Sequence, residues 1–353
     1  MEFESDNTAG AAPGILEAVA AANAGHAAAY GGDALTRRLE RRFCELFERE
    51  VAIHLVGTGT AANALALAHL APPWGAVLCH ATAHVVAHEC GAPEFFGGGL
   101  RMAGVAGACG KLDPAGVDAA LARFGLRPHQ IVPATLSLTQ ASECGTVYRP
   151  GEVAALAALA HDRGLAVHMD GARFANAVAR LGVTPAEATW RAGVDILCFG
   201  ATKGGALAAE AVVVFDPARA QALEERRKRG GHLFSKHRFV AAQFEAYLAD
   251  GRWLRLAGHA NAMAERLAEA LAGHGLAPLW PVEANMMFVL LPLALHERMK
   301  AAGARYHVFE TEHSDPALVP PGNVLARLVT SFATAADDVD RFAGLAGEAQ
   351  RGA

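Results

Sequence analysis

No two of the six cysteines (Cys44, Cys79, Cys90, Cys109, Cys144 and Cys198) lie close together in this 353-residue chain. The spacing therefore offers no disulfide framework, which fits a reducing compartment. Several of these thiols sit inside apolar runs, where cysteine behaves as a small hydrophobe. Charge of one sign is also missing. Lys and Arg number 31 against 36 Asp and Glu, the net charge is −5, and no long run of either sign occurs. That balance argues against a nucleic-acid partner. The longest apolar runs are alanine-rich and broken by His, Gly or Pro, so none makes the ~20-residue stretch of a membrane span. Glu2, Glu4 and Asp6 stand where a signal peptide would carry basic residues, so the expected setting is the cytoplasm, with no membrane partner. Internal repeats are absent as well. What remains is 52% hydrophobic, 19% charged and rich in glycine, with 37. Such a chain is too apolar for disorder and long enough for one large and one small domain.

Helical and strand patterns alternate through most of the sequence, as in an α/β sheet with crossover helices. Leu35 to Arg49 is amphipathic, with Leu39, Phe43, Leu46 and Phe47 at helical spacing. Val51–Val56 reads as a short strand and Gly59–Leu70 as a helix. Further strands are expected at Ala76–Cys79, Gln130–Ser137, Ala166–Met169, Ile196–Phe199 and Ala211–Phe215, with a helix at Gly151–Arg163. After about Gly230 the composition changes. A long helical region from Phe234 to Gly273, broken near Asp250-Gly251, precedes an Asn285–Leu291 strand, a Leu293–Ala301 helix and a Leu325–Phe332 strand. The expected organisation is an N-terminal segment (1–25), a large α/β domain (26–240) and a small α+β domain (241–353).

The richest stretch is Val194-Asp-Ile-Leu-Cys-Phe-Gly-Ala-Thr-Lys203. It reads as a buried strand that runs out through small residues and presents one lysine. A lysine at the mouth of a sheet can form a Schiff base with an aldehyde cofactor. Thirty-three residues upstream, Gly164-Leu-Ala-Val-His-Met-Asp-Gly-Ala-Arg173 is a second apolar run that ends in Asp170 and Arg173. A carboxylate and an amine on two strand ends match the two needs of pyridoxal phosphate, a partner for the ring nitrogen and a lysine for the aldehyde. Gly57-Thr58-Gly59-Thr60-Ala61-Ala62-Asn63, between a strand and a helix, would offer backbone N–H groups and a hydroxyl to a phosphate. Each motif alone is also an ordinary turn device, and their order is what gives them weight. His80, His84 and His88 fall at i, i+4 and i+8, but Cys79-His80 reads as a strand end, so no metal site is expected. His168, inside a buried run, reads as a core histidine.

In this order the motifs resemble pyridoxal-phosphate enzymes of fold type I, and more narrowly the threonine aldolase and β-eliminating lyase family. Further features of the likeness are Phe3-Glu4-Ser5-Asp6-Asn7, Gly25-His-Ala-Ala-Ala-Tyr-Gly-Gly-Asp33, His84 in Ala-Thr-Ala-His, and Arg327-Leu-Val-Thr330. The resemblance spans residues 3–332. It implies a mainly parallel seven-stranded sheet in the large domain and a smaller C-terminal domain. It also implies an aldehyde-lyase of the L-threonine aldolase type, cleaving L-threonine, L-allo-threonine and related β-hydroxy-α-amino acids to glycine and an aldehyde. A phenylserine-preferring aldolase or a β-eliminating lyase of the same fold is the alternative. By the same resemblance Lys203 bonds the cofactor aldehyde and Asp170 pairs with the ring nitrogen. Gly59 and Thr60 hold the phosphate, His84 stacks on the ring, and either His84 or an ordered water is the base. Arg173 and Arg327, with Ser5, bind the substrate carboxylate, and Arg173 also contacts the cofactor. Tyr30 reaches the active site of a neighbouring subunit and Lys236 a neighbouring phosphate, in a homodimer or homotetramer. The family's frequent Leu-Glu-Asn-Thr-His stretch is here Leu136-Ser-Leu-Thr-Gln140. Gln140 is thus expected to face the substrate hydroxyl, where it can hydrogen-bond but not titrate.

Overall fold

The computed structural model describes residues 1–125, 127–309 and 318–351; residues 310–317 and 352–353 of the expected C-terminal domain fall outside them. The helices are α1 (Pro13–Ala22), α2 (Ala34–Leu46), α3 (Gly59–Leu70), α4 (His84–Ala87), α5 (Ala92–Phe96), α6 (Pro114–Leu121), α7 (Pro150–Asp162), α8 (Phe174–Leu181), α9 (Gln221–Arg229), α10 (Arg238–Leu248), α11 (Arg252–Ala272), α12 (Leu293–Ala301) and α13 (Ala336–Arg351). A seven-stranded sheet is built from β1 (Ala52–Val56), β2 (Gly75–His80), β3 (Arg101–Val105), β4 (Val132–Thr139), β5 (Ala166–Gly171), β6 (Ile196–Gly200) and β7 (Glu210–Val214), in the order β1-β7-β6-β5-β4-β2-β3. A second sheet joins β8 (Met286–Pro292), β9 (His307–Val308) and β10 (Asn323–Val329) in the order β8-β10-β9.

In the large sheet β7 alone is antiparallel to its neighbours. The other strands need crossover helices, which cover both faces and require continuous apolar runs. β2 and β6 are accordingly buried at every residue, and β7 between β1 and β6 is buried as well. β7 escapes this rule because only the short 201–209 loop separates it from β6, which permits a direct return. Phe199, near the end of β6, is packed edge-on by Phe43, Phe174, Phe244 and Trp253, with ring centroids 5.2–6.0 Å away. Each such pair adds about 0.5–1.5 kcal/mol beyond area burial. The strand that delivers Lys203 is therefore firmly seated.

β3 had no strand signal in the sequence. It is a short edge strand with an arginine and a glycine, and it is largely uncovered. The expected break in the long C-terminal helical region lies at Ala249–Gly251, where Asp250 takes φ +50°. α11 then spans two cores. Trp253 and Ala257 belong to the core of the large sheet, whereas Ala264, Leu267 and Leu271 belong to that of the small one. The N-terminal segment does the same: Phe3 packs edge-on against Phe342 at 5.1 Å, and Ala12 and Ile15 join the large core. Ser5 and Asp6 are thereby held between the two sheets.

Candidate active site

In open α/β sheets ligands bind beyond the carboxyl ends of the strands. Here β1, β5 and β6 run in one direction and release their chains at the same edge. Asp170 is the penultimate residue of β5, and Lys203 lies three residues beyond β6. The loop after β6 is tight: Ala201 N–H donates to the Ala209 carbonyl at 3.1 Å, and Gly204 and Ala206 N–H both reach the Ala201 carbonyl at 3.0 Å. A side chain at Gly204 would run into the Tyr247 phenol, so the residue after Lys203 has to be glycine. Beyond β1, Thr58 caps α3 and its hydroxyl oxygen accepts from Ala61 N–H at 3.1 Å. The N–H groups of Gly59 and Thr60 belong to the first helical turn and have no intrahelical acceptor. A Cβ at Gly59 would meet nothing within 4 Å. This leaves an open space above a helix start that suits an anion.

Asp170 is buried, and its carboxylate accepts from Ala172 N–H and from Asn63 Nδ2, each at 3.0 Å. Among the described residues it makes no ion pair. Asn63 Nδ2 also donates to Glu89 Oε1 at 2.9 Å, and the same oxygen lies 2.9 Å from His84 Nδ1. A chain of hydrogen bonds thus runs Asp170–Asn63–Glu89–His84. Because a carboxylate only accepts, His84 Nδ1–H is the donor and Nε2 keeps its lone pair. The Glu89 hydrogen bond raises the His84 pKa above its ordinary value of 6.5. Burial opposes the shift, while the charges of Glu143 and Asp170 support it. Glu143 also accepts from His84 backbone N–H at 3.1 Å.

The two arginines are used differently. Arg173 donates to Asp6 through Nε and Nη2, at 2.8 and 3.1 Å, and Asn285 Nδ2 adds a third bond to Asp6 at 3.0 Å. Burial alone would raise the Asp6 pKa, but Arg173 and Lys203 together bring it below the ordinary value. Two donors of the fork expected to hold a substrate carboxylate, Nε and Nη2, are therefore taken by Asp6. Arg327, on β10, has a buried Nε with no partner. Burial, and then the nearby Arg173 charge, lower its pKa. Its Nε therefore has donor capacity that no described residue uses.

Gln140 is also engaged within the protein. Its Nε2 donates to the Tyr148 carbonyl at 2.9 Å and its Oε1 accepts from Tyr148 N–H at 3.0 Å. Both ends of this buried amide hold a loop in place, so it is not free to meet a substrate hydroxyl. The Ser5 hydroxyl accepts from Asn7 N–H and shapes the turn that presents Asp6. Tyr30 and Lys236 gather elsewhere. Tyr30 N–H donates to the Ser235 carbonyl, Lys228 Nζ lies 4.6 Å from its ring centroid, and Tyr30 and Lys236 are both exposed. His80 ends β2, where Thr82 and the Gly107 carbonyl are its partners, apart from the His84–Glu89 pair. Sequence reasoning gave no role to Asn63, Glu89 or Asp6, although Asn63 and Asp6 lie inside motifs already noted.

The chain matches the family model described as beta-eliminating lyase over residues 2–293. It is 46% identical to the low specificity L-threonine aldolase of Pseudomonas aeruginosa, covering 88% of this chain and 89% of that protein. A Pseudomonas sp. protein of the same name is 43% identical over the same shares. The solved structure of Leishmania major threonine aldolase superposes with a TM-score of 0.92 at 28% identity, over 99% of each chain.

Proposed function

The chain belongs to the β-eliminating lyase family, and from that premise we propose a pyridoxal-phosphate-dependent aldehyde-lyase of the L-threonine aldolase type. Its substrates on this reading are L-threonine, L-allo-threonine and related β-hydroxy-α-amino acids, and its products are glycine and an aldehyde. What supports the reading is that Lys203 and the buried Asp170, which makes no ion pair among the described residues, follow adjacent parallel strands, while Asp6 feels the charge of Lys203 and Arg327, with its unpartnered Nε, feels that of Asp6.

The residues present fit the cofactor. A buried carboxylate without a cation suits a protonated ring nitrogen. The open space at Gly59 and Thr60 suits a phosphate, and Lys203 suits the aldehyde. When bound, pyridoxal phosphate supplies a carbonyl for the substrate amine and a ring that accepts the electron pair of the breaking Cα–Cβ bond. Asp170, fixed by Asn63 and Ala172, is the group that keeps the ring nitrogen protonated. Arg327 binds the substrate carboxylate, and its planar fork orients the scissile bond. Arg173, locked by Asp6, lines the same region as a fixed positive charge. His84 takes the substrate hydroxyl proton at Nε2, and Glu89 stabilises the imidazolium that results.

The functional form on this reading is a cytoplasmic homo-oligomer built on dimers, in which exposed Tyr30 and Lys236 are offered to the neighbouring copy. All six cysteines are free, which suits such a compartment. The test is incubation of the cofactor-loaded protein with L-threonine, L-allo-threonine and phenylserine. Glycine with the matching aldehyde is expected. Release of a 2-oxo acid with ammonia instead would overturn the aldolase reading in favour of β-elimination.

A further inference from the structure

Glycine stands on both sides of the Lys203 turn, at positions 200 and 204, and each leaves room for a buried polar side chain. A Cβ at Gly200 would lie 2.9 Å from Glu210 Oε2, and one at Gly204 would collide with the Tyr247 phenol. Glu210 opens β7 directly opposite Gly200 and Val56, and it is buried. Its polar neighbours are the hydroxyl and backbone N–H of Thr202. The Tyr247 hydroxyl is buried with no hydrogen-bond partner. None of these groups has a part in the reaction described above.

A buried carboxylate is costly unless a cation or several donors compensate it. Lys203 has three carboxylates within electrostatic reach or one strand away. Asp6 is already held by Arg173 and Asn285. Asp170 is held by Asn63 and Ala172 N–H and would pair with the ring nitrogen of the bound cofactor. Glu210, like Asp170, makes no ion pair among the described residues, but on the functional reading above the cofactor would offer a cation to Asp170 and none to Glu210. The other titratable groups packed around it are Asp170 from β5, Cys198 from β6 and Tyr247 from α10. Burial drives the Glu210 pKa up to about 7, and Lys203 opposes that rise. A full positive charge placed beside it would hold it ionised.

We propose that Glu210 is the positioning partner of Lys203, the carboxylate that receives the lysine ammonium once a substrate amine has displaced that side chain from the cofactor. This rests on the reading of Lys203 as the cofactor-bonding lysine. When a substrate amine takes its place, the freed lysine has to sit in a half-buried setting. Glu210 compensates its charge there, and the Tyr247 hydroxyl, which lies against the same turn, closes the space.

The experiment uses the cofactor-loaded protein saturated with glycine, which frees Lys203. Brief acylation with an N-hydroxysuccinimide ester of acetic acid is read at Lys203 by mass spectrometry across pH 6–10. Glu210→Gln is expected to lower the pH of half-labelling by about one unit, so that Lys203 labels about tenfold faster at pH 8. Glu210→Asp should fall between the two, and it decides the matter if the glutamine variant does not fold. Unchanged profiles in the variants would overturn the proposal. A separate arm tests the premise: borohydride reduction without glycine should leave the pyridoxyl group on Lys203. Its recovery on another lysine would overturn the functional reading itself, whatever Glu210 does.

Discussion

The β5 end of the large sheet and the β10 strand of the small sheet each bring an arginine to the same space, yet only the first is satisfied. Arg173 is closed on Asp6 by two hydrogen bonds, and Asn285 reinforces the pair. Arg327 keeps a buried Nε without a partner. Desolvation weighs on both guanidiniums. It is overcome at Arg173 by Asp6, whereas at Arg327 it prevails and the neighbouring Arg173 adds to it. The difference separates scaffold from recognition. A completed ion pair fixes geometry, and an incomplete one marks where a ligand's charge is missing.

Disturbing the unsatisfied side should therefore cost activity, and disturbing the satisfied side should cost stability. The largest effect is expected from Lys203→Ala, which removes the amine that no neighbouring group replaces. Aldol cleavage of threonine should fall to background, and the cofactor's visible absorbance should change to that of the unbound aldehyde. Substantial residual turnover would place the chemistry on another lysine. His84→Phe comes next. It keeps a ring to stack but removes Nε2, and kcat should drop about 10²–10⁴-fold with cofactor retained. The pH profile sharpens the test. A base works unprotonated, so activity should rise with pH through a pKa above 6.5, because Glu89 raises it. That limb should vanish in the phenylalanine variant, and Glu89→Gln should move it to lower pH.

Asp6→Asn probes the satisfied arginine. Breaking a buried pair leaves an uncompensated charge and costs about 3–5 kcal/mol. A clear fall in Tm is expected, larger than the fall in substrate affinity; an unchanged Tm would show that the Arg173 pair is not structural. The smallest effect is expected from Arg327→Lys, which keeps the charge and loses the planar fork. KM for threonine should rise and kcat should fall, together roughly 10²-fold in kcat/KM, with Tm nearly constant. Loss of cofactor at unaltered KM would instead put Arg327 at the phosphate.

Much of the architecture was legible because its signals are local. The strand ends that deliver Asp170 and Lys203, and the turn before α3, are each written in a few consecutive residues. The β7 return and the uncovered β3 were not legible as such, since direction and edge position depend on neighbouring strands. Gln140 shows the limit at a single side chain. Its type suggested a hydroxyl partner, but a loop eight residues further along takes both ends of its amide.

The strand ends carrying Lys203 and Asp170 and the turn before α3 follow from short stretches of sequence, because strand, turn and helix preferences act over a few residues. Tertiary structure alone decided who pairs with whom. Asp6 and Arg173 are 167 positions apart, Asn63 and Asp170 are 107 apart, and Asn63 and Glu89 are 26 apart. Such bonds form only when packing of the two cores brings the segments together, and burial then forces each charge to find its partner.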